Sequence, residues 1–221
     1  ELQEIWESKL EPVYPYRKAG PTVEKINGKL NAPAAPKIGV AKPKVIIPVF
    51  PGTNCEYDTA KAFARAGADP EILVIRNLTP ADVTASCEAL VKAIGESQIV
   101  MLPGGFSGGD EPDGSAKFIA SFFRSPAVTE AVRRLLQQRD GLMLGICNGF
   151  QALIKLGLVP YGDIRPITAY DPTLTFNTIG RHQSMLVRTR VASTGSPWLS
   201  HCDAGSEYEI AISHGEGRFV A

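Results

Sequence analysis

Short apolar runs alternate with amphipathic stretches through the middle of this chain. Val45-Ile46-Ile47-Pro48-Val49-Phe50 is apolar and rich in β-branched residues, which suits a parallel strand covered on both faces. Residues 56–66 have helical spacing and are closed by Gly67. Residues 71–75 read as a second strand, and 98–102 as a third. Between them, 80–94 reads as a helix with Ala81, Ala85, Leu90 and Ile94 among its apolar positions. Residues 117–123 and 128–136 are helical in pattern, the latter placing Val128, Val132, Leu135 and Leu136 on one side. A fourth strand, 142–146, runs into the amphipathic stretch 150–154. Strand alternating with helix predicts an α/β fold with a doubly wound, mainly parallel sheet. From about Tyr161 the alternation stops. Met185-Leu186-Val187 and the alternating residues 208–213 predict a β-rich flank.

The N-terminal part follows different rules. Residues 1–20 hold a short helical candidate at 2–10, then Pro12, Tyr14, Pro15 and Tyr16. Residues 21–43, with Asn31-Ala32-Pro33-Ala34-Ala35-Pro36-Lys37, read as an extended linker, so the domain proper is expected over 44–221. The chain starts without methionine and stops within what reads as a strand or loop, as expected of a piece of something longer.

Charge narrows the partners. Lys+Arg and Asp+Glu balance at 23 each, which argues against nucleic acid or an anionic membrane as partner. No apolar run approaches the roughly 18 residues of a membrane span, and Glu1-Leu2-Gln3-Glu4 has no signal-peptide character. Cys55, Cys87, Cys147 and Cys202 are scattered, with no CxxC pair and no metal spacing. They read as reduced thiols of a cytoplasmic protein that holds no metal.

The chemistry concentrates at Gly145-Ile146-Cys147-Asn148-Gly149, a cysteine between glycines where a strand meets a helix. That is the thiol form of the nucleophile elbow, a tight strained turn that leaves the sulfur exposed before the positive end of a helix. A buried packing cysteine is the plain alternative. Leu102-Pro103-Gly104-Gly105-Phe106-Ser107-Gly108-Gly109-Asp110 also follows a strand. It lacks the Gly-Lys-Ser/Thr ending of a phosphate loop, and Asp110, Glu111 and Asp113 would repel phosphate. Its N–H groups suit an oxyanion or a zwitterion better, unless it is only a flexible turn. Pro51-Gly52-Thr53-Asn54 lies at a third strand end, so the three loops are expected to cluster. A cysteine nucleophile needs a base, and His182, His201 and His214 are the histidines available. Glu216 stands two residues after His214, the order of an oriented imidazole. A purely structural loop is the plain alternative.

Gly145-Ile146-Cys147-Asn148-Gly149-Phe150-Gln151 resembles the nucleophile segment of the class I, triad-type glutamine amidotransferases. Joined by Pro51-Gly52-Thr53-Asn54-Cys55-Glu56, Pro103-Gly104-Gly105-Phe106-Ser107 and His214-Gly215-Glu216-Gly217-Arg218, it looks like the glutaminase domains of the phosphoribosylformylglycinamidine synthases. The resemblance runs from about Lys44 to the last residue and implies a flavodoxin-like sheet. Cys147 matches the nucleophile, and Gly105 and Asn148 match the positions whose N–H groups hold the oxyanion. Both act through the main chain, so the Asn148 side chain is expected to matter less than its N–H. Gln151, with Gly104 and Phe106, matches glutamine-binding positions. In that family the catalytic histidine and glutamate lie in a later Pro-His-Pro-Glu-Arg segment, which does not occur in this sequence. His214 and Glu216 match an earlier motif, leaving them a weaker triad alternative. The 6–16 stretch is similar to the end of the synthetase part in single-polypeptide forms. The resemblance therefore implies ammonia delivery to a synthetase portion of the same polypeptide, in de novo purine synthesis. That portion would bind ATP and magnesium, while the domain itself needs no cofactor and this chain alone is expected to be inactive. Another cysteine hydrolase or chaperone-like protein of the same broad fold, or a non-catalytic docking module, is the alternative.

Overall fold

A computed structural model describes residues 2–9, 39–109 and 115–221. The 21–38 part of the expected linker and the acidic Asp110, Glu111 and Asp113 lie outside these residues. The chain divides into two compact units, residues 36–175 with 219–221, and residues 1–35 with 176–218.

The larger unit is built on four parallel strands. β1 (Lys44–Val49), β2 (Asp69–Val74), β3 (Ile99–Leu102) and β4 (Leu142–Gly145) lie in the order β2-β1-β3-β4. Val45, Ile46, Ile47, Val100, Met101 and Leu102 are all fully buried. Covering each such side chain is worth about 1.5–3 kcal/mol, which is why these runs carry no polar alternation. β2 begins at Asp69, two residues before the expected start at residue 71, because it is the edge strand. Pro70 and the charges of Asp69 and Glu71 are tolerated there. Pro48 lies in the interior strand and has no N–H to give. The β1–β3 ladder runs from Val45–Ile99 to Ile46–Val100 and ends before it, so these two strands lose their pairing toward their carboxyl ends. In the order 2-1-3-4, connections leave in opposite directions at β1 and β3, and ligands bind at that switch point.

Helices α2 (Glu56–Arg65), α3 (Pro80–Glu96), α4 (Lys117–Phe123), α5 (Pro126–Arg133), α6 (Asn148–Leu156) and α7 (Leu158–Tyr161) join or follow the strands. α3 starts where its sequence says: Thr79 Oγ1 accepts the Asp82 N–H at 3.1 Å and donates to the Asp82 carboxylate at 2.8 Å, with Pro80 at the first position. α5 continues into a π-turn, Arg134–Gln138. Leu90, Ile119, Phe123, Val132, Leu135 and Leu156 from these helices close over Ile46, Val100 and Leu102 in the main core.

After α7 the chain is tied down by charge. Arg133 holds Asp163 through two bonds, 2.7 and 3.0 Å, and keeps that carboxyl below its usual range. Asp171 accepts from the Tyr161 hydroxyl, from Thr168 N–H at 2.6 Å and from Arg165 at 3.1 Å. The Tyr161 hydroxyl first, then Thr168, lowers the Asp171 pKa to about 2. A carboxylate favoured in the folded state contributes stability above its unfolded pKa and loses it as the pH falls through the folded value. Melting temperature in acid is therefore expected to drop more steeply for the wild type than for Asp171→Asn between about pH 4 and pH 2. Parallel acid curves for the two proteins would show that Asp171 does not titrate with folding.

In the smaller unit, α1 (Leu2–Ser8) matches the expected N-terminal helix. β6 (Gln183–Arg190) and β7 (Glu207–His214) form an antiparallel hairpin in register from Gln183–His214 to Arg190–Glu207. The region predicted as β-rich is so, but its hairpin is a sheet of its own and adds no strand to the parallel one. The short strand β5 (Thr173–Thr175) belongs to the larger unit and pairs with β8 (Arg218–Val220).

Candidate active site

Cys147 stands between β4 and α6 with φ 53° and ψ −109°, a combination that L-residues rarely adopt. Such strain costs of order 1–3 kcal/mol and persists where surrounding packing enforces it. The enforcing contacts come from both flanking glycines. A β-carbon on Gly149 would overlap the Leu102 carbonyl, and one on Gly145 would lie 2.6 Å from the Gly149 carbonyl carbon. Strand end and helix start are thus pressed together, and the turn between them has no room to relax. Gln151 N–H bonds to Cys147 O at 2.9 Å and Gly149 N–H to Ile146 O at 3.0 Å, so the helix begins at once. The Cys147 side chain is exposed and not in a disulfide, unlike a packing cysteine.

The glycine-rich turn after β3 lies against this elbow. A β-carbon on Gly104 would be 3.4 Å from Cys147 Cβ. The turn is held from its other side by the loop after β1: Asn54 N–H bonds to Gly104 O at 2.8 Å and Phe106 N–H to Gly52 O at 2.9 Å. Thr53 and Gly105 form an antiparallel bridge between these bonds. Gly104 is buried, Gly105 partly exposed and Phe106 exposed. Asn148 is the first residue of α6, where the N–H has no intrahelical acceptor. Its side chain is buried, receives the Ser107 N–H at 3.2 Å and donates to Gln151 Oε1 at 3.0 Å. Gly104, Gly105, Cys147, Asn148 and Gln151 are therefore brought together, as the strand-end argument expected.

His214 belongs to the smaller unit. The Asn177 amide donates to the carbonyls of Arg181, at 3.0 Å, and His214, at 2.8 Å. Its Oδ1 must then be the acceptor for Gly217 N–H at 3.2 Å and for His214 Nδ1–H at 3.0 Å. The imidazole is thus oriented by Asn177 rather than by Glu216, and its ring packs so closely on Gly217 that a β-carbon there would overlap it. Glu216 is itself buried. The His214-Gly215-Glu216 spacing suggested an oriented pair; the structure makes it a turn stapled by Asn177, 37 residues away, which no local pattern announced. His182 bonds through Nε2 to Ser213 Oγ at 2.9 Å, and His201 is exposed in a turn.

A groove of about 620 Å³ lies between α5 and the segment after α7, with Arg124, Arg133 and Arg165 on it. Each arginine is engaged elsewhere, by Lys155 O, Asp163 and Asp171 respectively, and none of the elbow residues lines the groove. Among the described residues, no group of three or more His, Cys, Asp or Glu is placed to hold a metal ion, and no helix is long and apolar enough to cross a membrane.

Residues 42–221 match the CobB/CobQ-like glutamine amidotransferase domain family. The chain belongs to that family. Similar curated proteins are the phosphoribosylformylglycinamidine synthase subunits PurQ of Rubrobacter xylanophilus, 35% identical over 178 residues, and of Symbiobacterium thermophilum, 36% identical over 176. The matches take in 80% and 78% of this chain and 67% and 61% of those proteins. The chain thus spans about two thirds or less of the length of these relatives. A solved structure, described as that of PurLQS from Thermotoga maritima, superposes with a TM-score of 0.59 at 26% identity, covering 81% of this chain and 69% of that one. The amidotransferase family and the α/β fold expected from the sequence are therefore established.

Proposed function

We propose that this chain is the glutaminase part of a phosphoribosylformylglycinamidine synthase, with Cys147 as nucleophile. The observation that carries this reading is the strained, exposed Cys147 elbow set against the Gly104–Gly105 turn. The Cys147 sulfur attacks the side-chain carbonyl carbon of glutamine, and the carbonyl oxygen becomes an oxyanion held by the N–H groups of Gly105 and Asn148. Gly104, Phe106 and Gln151 bind the glutamine. Collapse of the tetrahedral adduct breaks the C–N bond, releases ammonia with a proton delivered to its nitrogen, and leaves a γ-glutamyl thioester. Water then adds to the thioester, and glutamate leaves as the thiol is restored.

Ammonia passes to a synthetase portion, carried on the same polypeptide. There ATP, held with magnesium, phosphorylates the formyl amide oxygen of formylglycinamide ribonucleotide. Ammonia displaces the phosphate to give the amidine. The proton carrier is a histidine of the kind the family holds in its Pro-His-Pro-Glu-Arg segment. His214, stapled by Asn177 and packed on Gly217, is assigned a structural role. This chain alone is accordingly expected to hydrolyse glutamine weakly or not at all, since general acid–base help is worth about 10²–10⁴ in rate.

A glutamine-mimicking electrophile tests the assignment without needing turnover. It is expected to label Cys147 and spare Cys87 and Cys202; labelling mainly at another cysteine would count against the elbow. Should the isolated chain prove as active as the complete enzyme, and His214→Ala abolish that activity, the base would be His214 after all.

A further inference from the structure

We infer that the Asn148 side chain is a positioning residue for the oxyanion site, tying the turn that carries Gly105 to the helix start that carries Cys147. The inference rests on the glutaminase reading and revises the expectation that Asn148 acts through its main chain alone. The two N–H groups assigned to the oxyanion come from different elements, one after β3 and one at the start of α6. They stabilise a single oxygen only if both reach it at about 2.7–3.1 Å, so their mutual placement must be fixed before substrate arrives. On one side the turn is fixed by the Asn54–Gly104 and Phe106–Gly52 bonds to the loop after β1. Those bonds say nothing about its distance from Cys147.

The Asn148 carboxamide ties the turn to the helix start directly, beside the Ile146 N–H bond to Leu102 O at 3.1 Å that joins the two strand ends. Its Oδ1 accepts the N–H of Ser107, two residues past Gly105, at 3.2 Å, and its Nδ2 donates to Gln151 Oε1, one helical turn on, at 3.0 Å. Ser107 and Asn148 are each 1% exposed and Gln151 is 7% exposed, so these bonds are shielded from competing water. The position needs an acceptor for a loop N–H and a donor to Gln151 on one short side chain. Aspartate would keep the acceptor and lose the donor; leucine, of similar size, would lose both.

The test uses the complete enzyme with its synthetase portion. Asn148→Leu is expected to lower kcat for glutamine hydrolysis about 10- to 100-fold, with KM within about 3-fold, because loop misplacement acts on the transition state more than on the bound substrate. Alkylation of Cys147 by iodoacetamide, without glutamine present, is expected to stay within about 2-fold, since the elbow itself is intact. Asn148→Asp, which keeps the acceptor for Ser107 but loses the donor to Gln151 and buries a negative charge, is expected to lower kcat at least as much as Asn148→Leu. A wild-type kcat for Asn148→Leu would overturn the inference. So would kcat and alkylation falling together, because that pattern reports a damaged fold. Cys147→Ala, run alongside, separates the two levels: hydrolysis surviving in it sinks the glutaminase reading, whereas its loss beside an unaffected Asn148→Leu sinks only the positioning role.

Discussion

Cys147→Ala in the complete enzyme is expected to remove glutamine-dependent turnover while leaving turnover with added ammonium salt intact. Without the sulfur there is no thioester, and water has no comparable route to the amide. In a serine hydrolase, loss of the nucleophile costs about 10⁶ in kcat, and a loss on the order of 10⁴–10⁶ is the scale to look for here. Stability should change little, because alanine inherits the same strained backbone at φ 53° and the residue is exposed. Glutamate release and ATP consumption, followed in parallel with glutamine and then with ammonium as nitrogen source, make the measurement. Loss of both activities would mean that the substitution damages the partner or the fold. Retention of both would remove Cys147 from the mechanism.

The elbow was legible in the sequence because its constraints are local. Gly145 and Gly149 are required by contacts with Leu102 and with each other, so the steric demand is written beside the cysteine it serves. The strands were legible for a similar reason, since a doubly covered strand must be apolar throughout, as β3 is and as β1 is from Val45 onward. Lys117–Phe123 falls on the expected residues. What escaped is pairing across the chain. Thr53 meets Gly105, and Asn177 meets His214; each pair brings together residues far apart in sequence through main-chain atoms or a lone asparagine, and neither alters local periodicity. The Pro-Gly-Thr-Asn motif was visible as a strand-end loop, but its work of clamping the glycine-rich turn was not. The His214–Glu216 spacing has the look of an oriented pair, while in the structure the imidazole bonds to Asn177. The part played by the Asn148 side chain is not legible in the sequence, because a motif shows which residue occupies a position, not which of its atoms bears the contact.

Gly105→Ala is expected to lower kcat/KM for glutamine by about 10²–10³, the effect of losing one oxyanion donor at roughly 2.7–4 kcal/mol. Two facts make this position intolerant. Gly105 has φ 134°, where a side chain is strained regardless of space. Its β-carbon would also fall 2.5 Å from Gly52 O, 2.7 Å from Asn54 N and 2.8 Å from Thr53 Cα. Those are backbone atoms and cannot swing aside, so the turn must move away from the β1 loop and carry its N–H out of line. Ammonia-dependent turnover is expected to persist, and so is labelling of Cys147 by iodoacetamide, which separates a lost oxyanion donor from a lost nucleophile. Gly95→Ala is the matched control. It lies in the last turns of α3 with nothing within 4 Å of the new carbon, and it should stabilise by about 0.5–1 kcal/mol without touching activity. If Gly105→Ala hydrolyses glutamine as the wild type does, the oxyanion is not held by that turn. The donor beside Asn148 would then have to be sought on α6 itself.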